Sequence, residues 1–352
     1  MKKNQWIAGL VVLLALAALI FWGRDRIHFD FSVFRSQLAQ ADWRKIILAA
    51  GCIYLGYVFR SVRWALLLRH NKKVGLFSLL GTQVIGFTAV ALIGRIADPV
   101  RPYLVSKRTG LPISNQIAVY IVERLCDLGA MALIFFSAIA LAPAGSLPHP
   151  ELVKKAGNWG LALTVLGALF LVAVRLAGGV VAAFLERAFG LISKRLGAAI
   201  AHKVNTFRAG LDTIRSFSDF GAAASLSVGM WVLIAAAYLE TLQAFTASPE
   251  LASITPVKCV LLMAVSGGAS AFQLPVLGWF TQIGFVAAAL YKFFGVAAEP
   301  AMACAATLLL VTFLSIIPVG LIWARFEHVS LRKVAEESEH VEADLAAEEP
   351  AG

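Results

Sequence analysis

Charge is what this 352-residue sequence has least of: Asp, Glu, Lys and Arg make up 15% of it, against 59% hydrophobic residues. A water-soluble domain carries about a quarter of its residues as charges. The shortage therefore excludes both an ordinary soluble fold and a disordered chain. Cysteine is nearly as sparse. Cys52, Cys126, Cys259 and Cys304 all lie in apolar runs with no C-x-x-C spacing and no histidine nearby, which excludes a disulfide scaffold and a thiolate metal site and leaves packing as their role. The six histidines are scattered without an H-E-x-x-H or other ligand spacing. G-x-S-x-G, a Walker A loop and a dinucleotide fingerprint are missing too. No catalytic residue, metal or cofactor is expected, and a transporter is favoured over an enzyme.

The apolar runs themselves are of helical length, which sets aside a porin-like barrel. A membrane span needs about 20 apolar residues. Six segments qualify: Trp6–Trp22, Ile46–Leu68, Ile113–Ala142, Trp159–Val174, Phe220–Phe245 and Ala301–Trp323. The first resembles a signal peptide, but Gly23-Arg24-Asp25-Arg26 offers no cleavage site, so an uncleaved span is expected. Two further runs are interrupted. Gly75–Gly94 enters Arg95-Ile96-Ala97-Asp98-Pro99-Val100-Arg101-Pro102, and Val257–Leu274 enters Pro275-Val276-Leu277-Gly278 before a second stretch, Ile283–Tyr291. Proline removes a backbone donor and glycine loosens a helix, so such breaks survive in lipid only where protein or a wet cavity satisfies the freed groups. Re-entrant hairpins are the natural reading.

Positive charge tests that reading, because cytoplasmic segments collect Lys and Arg. With each interrupted region returning to its own side and the amino terminus inside, 21 of the 31 basic residues fall inside and seven outside. Treating each region as a single span gives 12 inside against 16 outside, and the bias vanishes. An even number of crossings per region is required; two full spans would serve as well as a hairpin. The expected fold is thus an all-α polytopic membrane protein with about six full spans plus two oppositely oriented re-entrant helical hairpins, an inverted repeat, and both termini cytoplasmic. Paired interruptions in two halves point to a transport site near the midplane.

The net charge of +10 is a remainder. Phe326–Gly352 holds two basic and eight acidic residues and is expected to be a solvated, disordered cytoplasmic tail. Positive charge beside apolar spans marks topology or anionic lipid rather than nucleic acid. Residues 1–325 form the expected membrane domain. Within it, residues 176–217 make a cytoplasmic connector whose apolar positions, from Leu185 through Val204 to Ile214, recur every three or four residues. That helix either lies on the inner leaflet or packs on the bundle.

Ionisable groups inside spans cost roughly 2.5–3.5 kcal/mol each on insertion scales and normally face a protein interior. Here they cluster. Glu123, Arg124 and Asp127 share a neighbourhood on one helix, Arg60 and Arg63 share a face of another, and Arg95, Asp98 and Arg101 line the first break. Guanidinium forks beside free backbone donors suit a phosphate diester. The same groups could instead be helix-locking salt bridges, with Arg124–Asp127 and Arg95–Asp98 as the pairs, and Arg60 and Arg63 could simply snorkel. At the second break Pro275, Gly278 and the neutral Gln282 are candidates, Gln282 also fitting an ordinary capped helix start.

In order, Arg60-Ser61-Val62-Arg63-Trp64, Gly94-Arg95-Ile96-Ala97-Asp98-Pro99-Val100-Arg101, Thr109-Gly110-Leu111-Pro112 and Glu123-Arg124-Leu125-Cys126-Asp127 resemble the lysylphosphatidylglycerol synthase transmembrane family, flippase-like integral-membrane proteins of bacteria and archaea. The similarity spans residues 6 to 325. This chain has Ala97-Asp98 where the family has Gly-Glu, and Gln282 where a Glu is usual. The resemblance implies two opposed hairpins and movement of lipid between leaflets of the bacterial cytoplasmic membrane. Its two-domain members add a soluble aminoacyl transferase; the residues after 325 are too few for one, so aminoacylation is not expected.

The leading expectation is a translocase for an anionic phospholipid or polyisoprenyl phosphate, with the state of assembly open to a homo-oligomer. Two rivals stand beside it: a membrane-embedded lipid or polyisoprenyl transferase using Glu123 or Asp127 as base, and a scaffold for a partner enzyme.

Overall fold

The computed structural model describes residues 30–94, 97–143, 150–191, 193–211, 217–270 and 277–329. The expected first span, Arg95, Pro275 and the acidic tail from residue 330 lie outside them. Every regular element among the described residues is helical. The protein is an all-α, multi-pass membrane protein.

The outside of the bundle carries the strongest physical sign of this. Ile47, Leu55, Leu128, Phe285 and Ile322 are exposed, whereas Arg63 and Arg101 are 1% and 0% accessible. Water-soluble proteins place these residue types the other way round. Lipid is the solvent that makes the arrangement favourable.

A short helix, α1 (Phe31–Ala39), is capped by the Asp30 carboxylate, which accepts from the Ser32 amide at 2.7 Å. Asp42 then caps α2 (Trp43–Leu68) through the Arg44 amide, and its own amide donates to Ala244 O at 2.8 Å. At 26 residues α2 is about 39 Å long, enough to cross a bilayer. It packs along α8 (Phe217–Gln243), which runs through the middle of the bundle. Four stretches among the described residues are long and apolar enough to cross by length and composition: Trp43–Leu68, Leu76–Ile93, Ser218–Gln243 and Ala298–Phe326. The expected span from Ile113 is also a helix, α5 (Ile113–Ala140), and the one from Trp159 lies within α6 (Pro150–Gly190), which bends at the non-helical Ala177.

The first expected break is present, and residues 271–276 of the second lie outside the described residues. α3 (Leu76–Ile93) is the most buried of the four apolar stretches and ends at Gly94, whose φ of 91° suits glycine and few other residues. The chain resumes as α4 (Val100–Thr109), which ends on a left-handed Gly110. In the second half α10 (Pro256–Ser270), reached through the single-turn α9 (Pro249–Ala252), precedes residues 271–276, and α11 starts at Leu277 and runs to Phe294. The described helix is thus already formed six residues before the apolar stretch expected from Ile283. Gly278 is consequently buried in the first turn of α11 rather than part of the break.

The last span is built from α12 (Ala298–Leu309), a π turn at Leu310–Leu314 and α13 (Ile316–Phe326). A π turn loosens the backbone ladder and recurs at functional positions. Here its loosened end is satisfied by Tyr54, whose hydroxyl donates to Ser315 O at 2.8 Å. The connector packs on the bundle: α7 (Lys194–Leu211) lies along α6 and α5, and Ala201 and Val204 are buried with Ala182 and Val119.

Candidate functional site

Glu123 and Asp127 are four residues apart on α5, so both carboxylates point from one face toward α2. On α2, Arg60 and Arg63 are three apart and point back. Arg63 spans the two carboxylates, with Nη2 at 2.8 Å from Glu123 Oε1 and Nη1 at 2.5 Å from Asp127 Oδ1; Nη1 also donates to the hydroxyl of Ser227 on α8. Arg101 arrives from α4, just beyond the first break. Its Nη2 donates to both oxygens of Glu123, at 2.7 and 2.9 Å, and its Nε donates to Gln83 Oε1 on α3 at 3.0 Å. Five helices therefore meet at one charge cluster.

Aromatic rings close it from solvent. The Arg101 guanidinium lies 4.4 Å from the Phe87 ring centroid, with the rings of Trp64 and Tyr120 within 5.5 Å. Such faces favour a cation through the ring quadrupole. Trp64 is held in turn by a hydrogen bond from its indole to Gln116 at 3.2 Å.

Arg60 differs from its neighbours. Its Nη1 is 3.5 Å from Glu123 and 3.7 Å from Asp127, and no hydrogen bond from it is found among the described residues. Three guanidiniums thus face two carboxylates. The cluster keeps one positive charge, and Arg60 is the arginine least committed to the lattice.

Arg60 also lines a cavity of about 180 Å³ between the two halves. Tyr57 and Phe87 lie beside it; Trp231 and Tyr238 of α8, Ser266 of α10, Gln282 of α11 and Thr312 of the π turn form the other wall. The neutral polar groups there are connected: Tyr238 and Ser266 share a hydrogen bond of 2.8 Å, and Gln282 Nε2 donates to Ser266 Oγ at 3.2 Å. Gln282 Oε1 and Trp231 Nε1 are buried with no hydrogen-bond partner among the described residues.

Helices beside the two expected breaks meet as well. The indole of Trp279, in the first turn of α11, donates to Ala91 O near the end of α3 at 3.1 Å. That carbonyl belongs to the last turn of a helix ended by Gly94, one of the groups a helix terminus leaves without an internal donor. A side chain from one interrupted region therefore completes the backbone of the other.

Most of the sequence-selected residues converge. Arg60, Arg63, Arg101, Glu123 and Asp127 form the cluster, and Gln282 faces it across the cavity. Arg124 and Asp98 make a separate pair beside it: Arg124 Nη2 is 3.4 Å from Asp98 Oδ1, and Arg124 Nε donates to the Tyr120 hydroxyl at 3.0 Å. The alternative of an Arg124–Asp127 pair is not realised: Arg124 engages Asp98 and Tyr120, and Asp127 engages Arg63. Sequence reasoning missed Gln83, Ser227, Tyr238, Ser266 and Trp279. Gln83 was open to detection as an amide inside an apolar run; the hydroxyls were not, since serine is common in spans.

Gly86 shows how tightly Arg101 is seated. A Cβ at Gly86 would overlap Arg101 Cγ and come within 3.5 Å of its Cα. Gly86→Ala is expected to destabilise the protein by about 1–3 kcal/mol through overpacking and to draw Arg101 away from Glu123. A thermal melt of the purified variant checks it; an unchanged midpoint would show that α4 moves freely against α3.

A family model described as Lysylphosphatidylglycerol synthase TM region matches residues 6–320. No curated protein and no solved structure matches the chain.

Proposed function

The chain belongs to the lysylphosphatidylglycerol synthase TM region family, and from that membership and the buried arginine cluster we propose that it is a lipid translocase of the bacterial cytoplasmic membrane. The membership supports a membrane-lipid-related role. The cluster supports the finer reading: a surplus guanidinium, shielded from lipid by five helices, opens on a cavity between the halves. An anionic or phosphate-bearing headgroup would neutralise that charge, while its acyl or prenyl tails stay in the bilayer. Re-entrant hairpins at the two breaks, facing opposite sides, would expose the cavity alternately. The distribution of Lys and Arg supports a cytoplasmic side for both termini.

A transferase is less well supported, because Glu123 and Asp127 are each occupied by Arg63 at 2.8 Å or less and neither lines the cavity. A base must reach the proton it removes.

Proteoliposomes with labelled lipids test the reading. Protein-dependent exchange of an anionic lipid between leaflets is expected, above the rate in protein-free vesicles. No exchange across a broad headgroup panel would overturn the translocase, and a covalently altered lipid in the mass spectrum would favour the transferase.

A further inference from the structure

Resting on the reading of the cavity as a headgroup seat, we infer that it selects a monoanionic phosphodiester bearing a free hydroxyl and rejects headgroups that carry an amine. The two walls are chemically unlike. One offers Arg60, whose guanidinium has unspent donors and a net positive surrounding. The other offers neutral groups: the buried acceptor Gln282 Oε1, the buried donor Trp231 Nε1, and the Tyr238–Ser266 pair already engaged with Gln282 Nε2.

Each unspent group specifies part of the ligand. Arg60 and the Trp231 indole need acceptors, which phosphoryl oxygens supply. Gln282 Oε1 is an acceptor and needs a donor, which a hydroxyl supplies without bringing charge. Gln282 is 8% accessible, so an unmatched oxygen there costs more than one facing water. An ammonium could also donate to it, but it would enter beside the surplus positive charge of the arginine cluster. No carboxylate is found among the described lining residues to offset that repulsion. Glu123 and Asp127 are paired with Arg63 and do not line the cavity.

Gln282 is therefore the residue that sets selectivity. A carboxylate at this position would accept from an ammonium and cancel the surplus charge. Gln282→Glu should convert a seat for an anionic polyol into one for an amine.

The test is lipid binding by the purified full-length protein, read by native mass spectrometry with phosphatidylglycerol, phosphatidylmethanol, phosphatidylethanolamine and lysyl-phosphatidylglycerol, and with soluble glycerophosphoglycerol as a tail-free control. Phosphatidylglycerol is expected to bind about tenfold or more tightly than phosphatidylmethanol, the loss being that of one buried hydrogen bond. Both amine lipids should bind more weakly still. In Gln282→Glu the order should reverse in favour of the amine lipids, and in Gln282→Leu the preference for a hydroxyl over a methyl should disappear while the amines remain excluded. Equal binding of phosphatidylglycerol and phosphatidylmethanol by the wild-type protein would overturn the inference, as would tighter binding of lysyl-phosphatidylglycerol. Binding of glycerophosphoglycerol as tight as that of the lipid would reassign the cavity to a soluble ligand and overturn it too. Selective binding without leaflet exchange would leave the inference standing and remove the translocase; exchange without headgroup preference would do the reverse.

Discussion

Glu123→Ala is expected to destabilise the protein by about 3–5 kcal/mol, the cost of breaking a buried ion pair by removing one partner. Glu123 is the hub of the cluster: Arg101 reaches both of its oxygens at 2.7 and 2.9 Å, Arg63 reaches one at 2.8 Å, and Arg60 stands 3.5 Å away. Alanine would leave Arg60 and Arg63 sharing Asp127 and take from Arg101 the carboxylate it pairs with. At 0% and 1% accessibility, Arg101 and Arg63 cannot turn to water for compensation. Asp127→Ala should be milder, because Arg63 retains Glu123 and Arg101 never touches Asp127. Glu123→Gln should fall between wild type and alanine, keeping an acceptor while losing the charge.

The protein carries its own reporters for this measurement. Cys126, Cys259 and Cys304 are buried free thiols, and Cys126 sits on the same helix three residues beyond Glu123. Heating in detergent with a thiol-reactive dye should give a melt whose midpoint drops sharply in Glu123→Ala. The double variant Glu123→Met with Arg101→Met removes one charge of each sign and should recover much of the loss, since an apolar replacement of a buried pair is often close to neutral. A Glu123→Ala midpoint equal to that of wild type would show that water reaches the cluster, and the surplus charge assigned to Arg60 would then carry no weight.

How much of this site was legible in the sequence follows from what a helix fixes by itself. Spacing along α5 put Glu123 and Asp127 on one face, and spacing along α2 did the same for Arg60 and Arg63. Apolarity located the first interruption, since Gly94 stands out at the end of a run that is otherwise helical. Partner choice was not legible, because it depends on how neighbouring helices are rotated about their axes. Arg124 goes to Asp98 and Tyr120 rather than Asp127 for that reason. In the sequence Gln282 reads as a cavity group or a capped helix start, and only the rotation of the facing helix shows that Ser266 gives its amide a partner inside the protein. The approach of α11 to the end of α3 through Trp279 and Ala91 joins residues 188 apart in sequence, and no local pattern announces it.

A residue with no chemistry of its own, Gly320, should matter almost as much as Glu123. It lies on α13 where that helix crosses α3, and a Cβ there would fall 2.6 Å from Thr88 Cβ and nearer still to the Thr88 hydroxyl. Rotating Thr88 could move the hydroxyl but not Cβ, which is fixed to the backbone, so Gly320→Ala forces α13 away from α3. The hydroxyl has reason to resist as well, since it donates to Val84 O at 2.9 Å and to Ile316 O at 3.3 Å across the same interface. Without a hydrophobic drive between helices in lipid, close van der Waals approach of small residues does much of the holding. Gly81 repeats the pattern seven residues earlier on α3, where a Cβ would meet Trp323 and Glu327 of the last helix and the turn after it. Gly320→Ala is expected to lower stability by about 1–3 kcal/mol, and Gly320→Leu by more. Thr88→Gly removes both clashing groups, so it should restore the melting midpoint of Gly320→Ala although it weakens the wild-type protein. If the two substitutions simply add, the α3–α13 crossing is not the contact that confines the last span. If they compensate, that crossing also fixes the π turn and Thr312 at the wall of the cavity, and a glycine some distance from every charge becomes part of what shapes the headgroup seat.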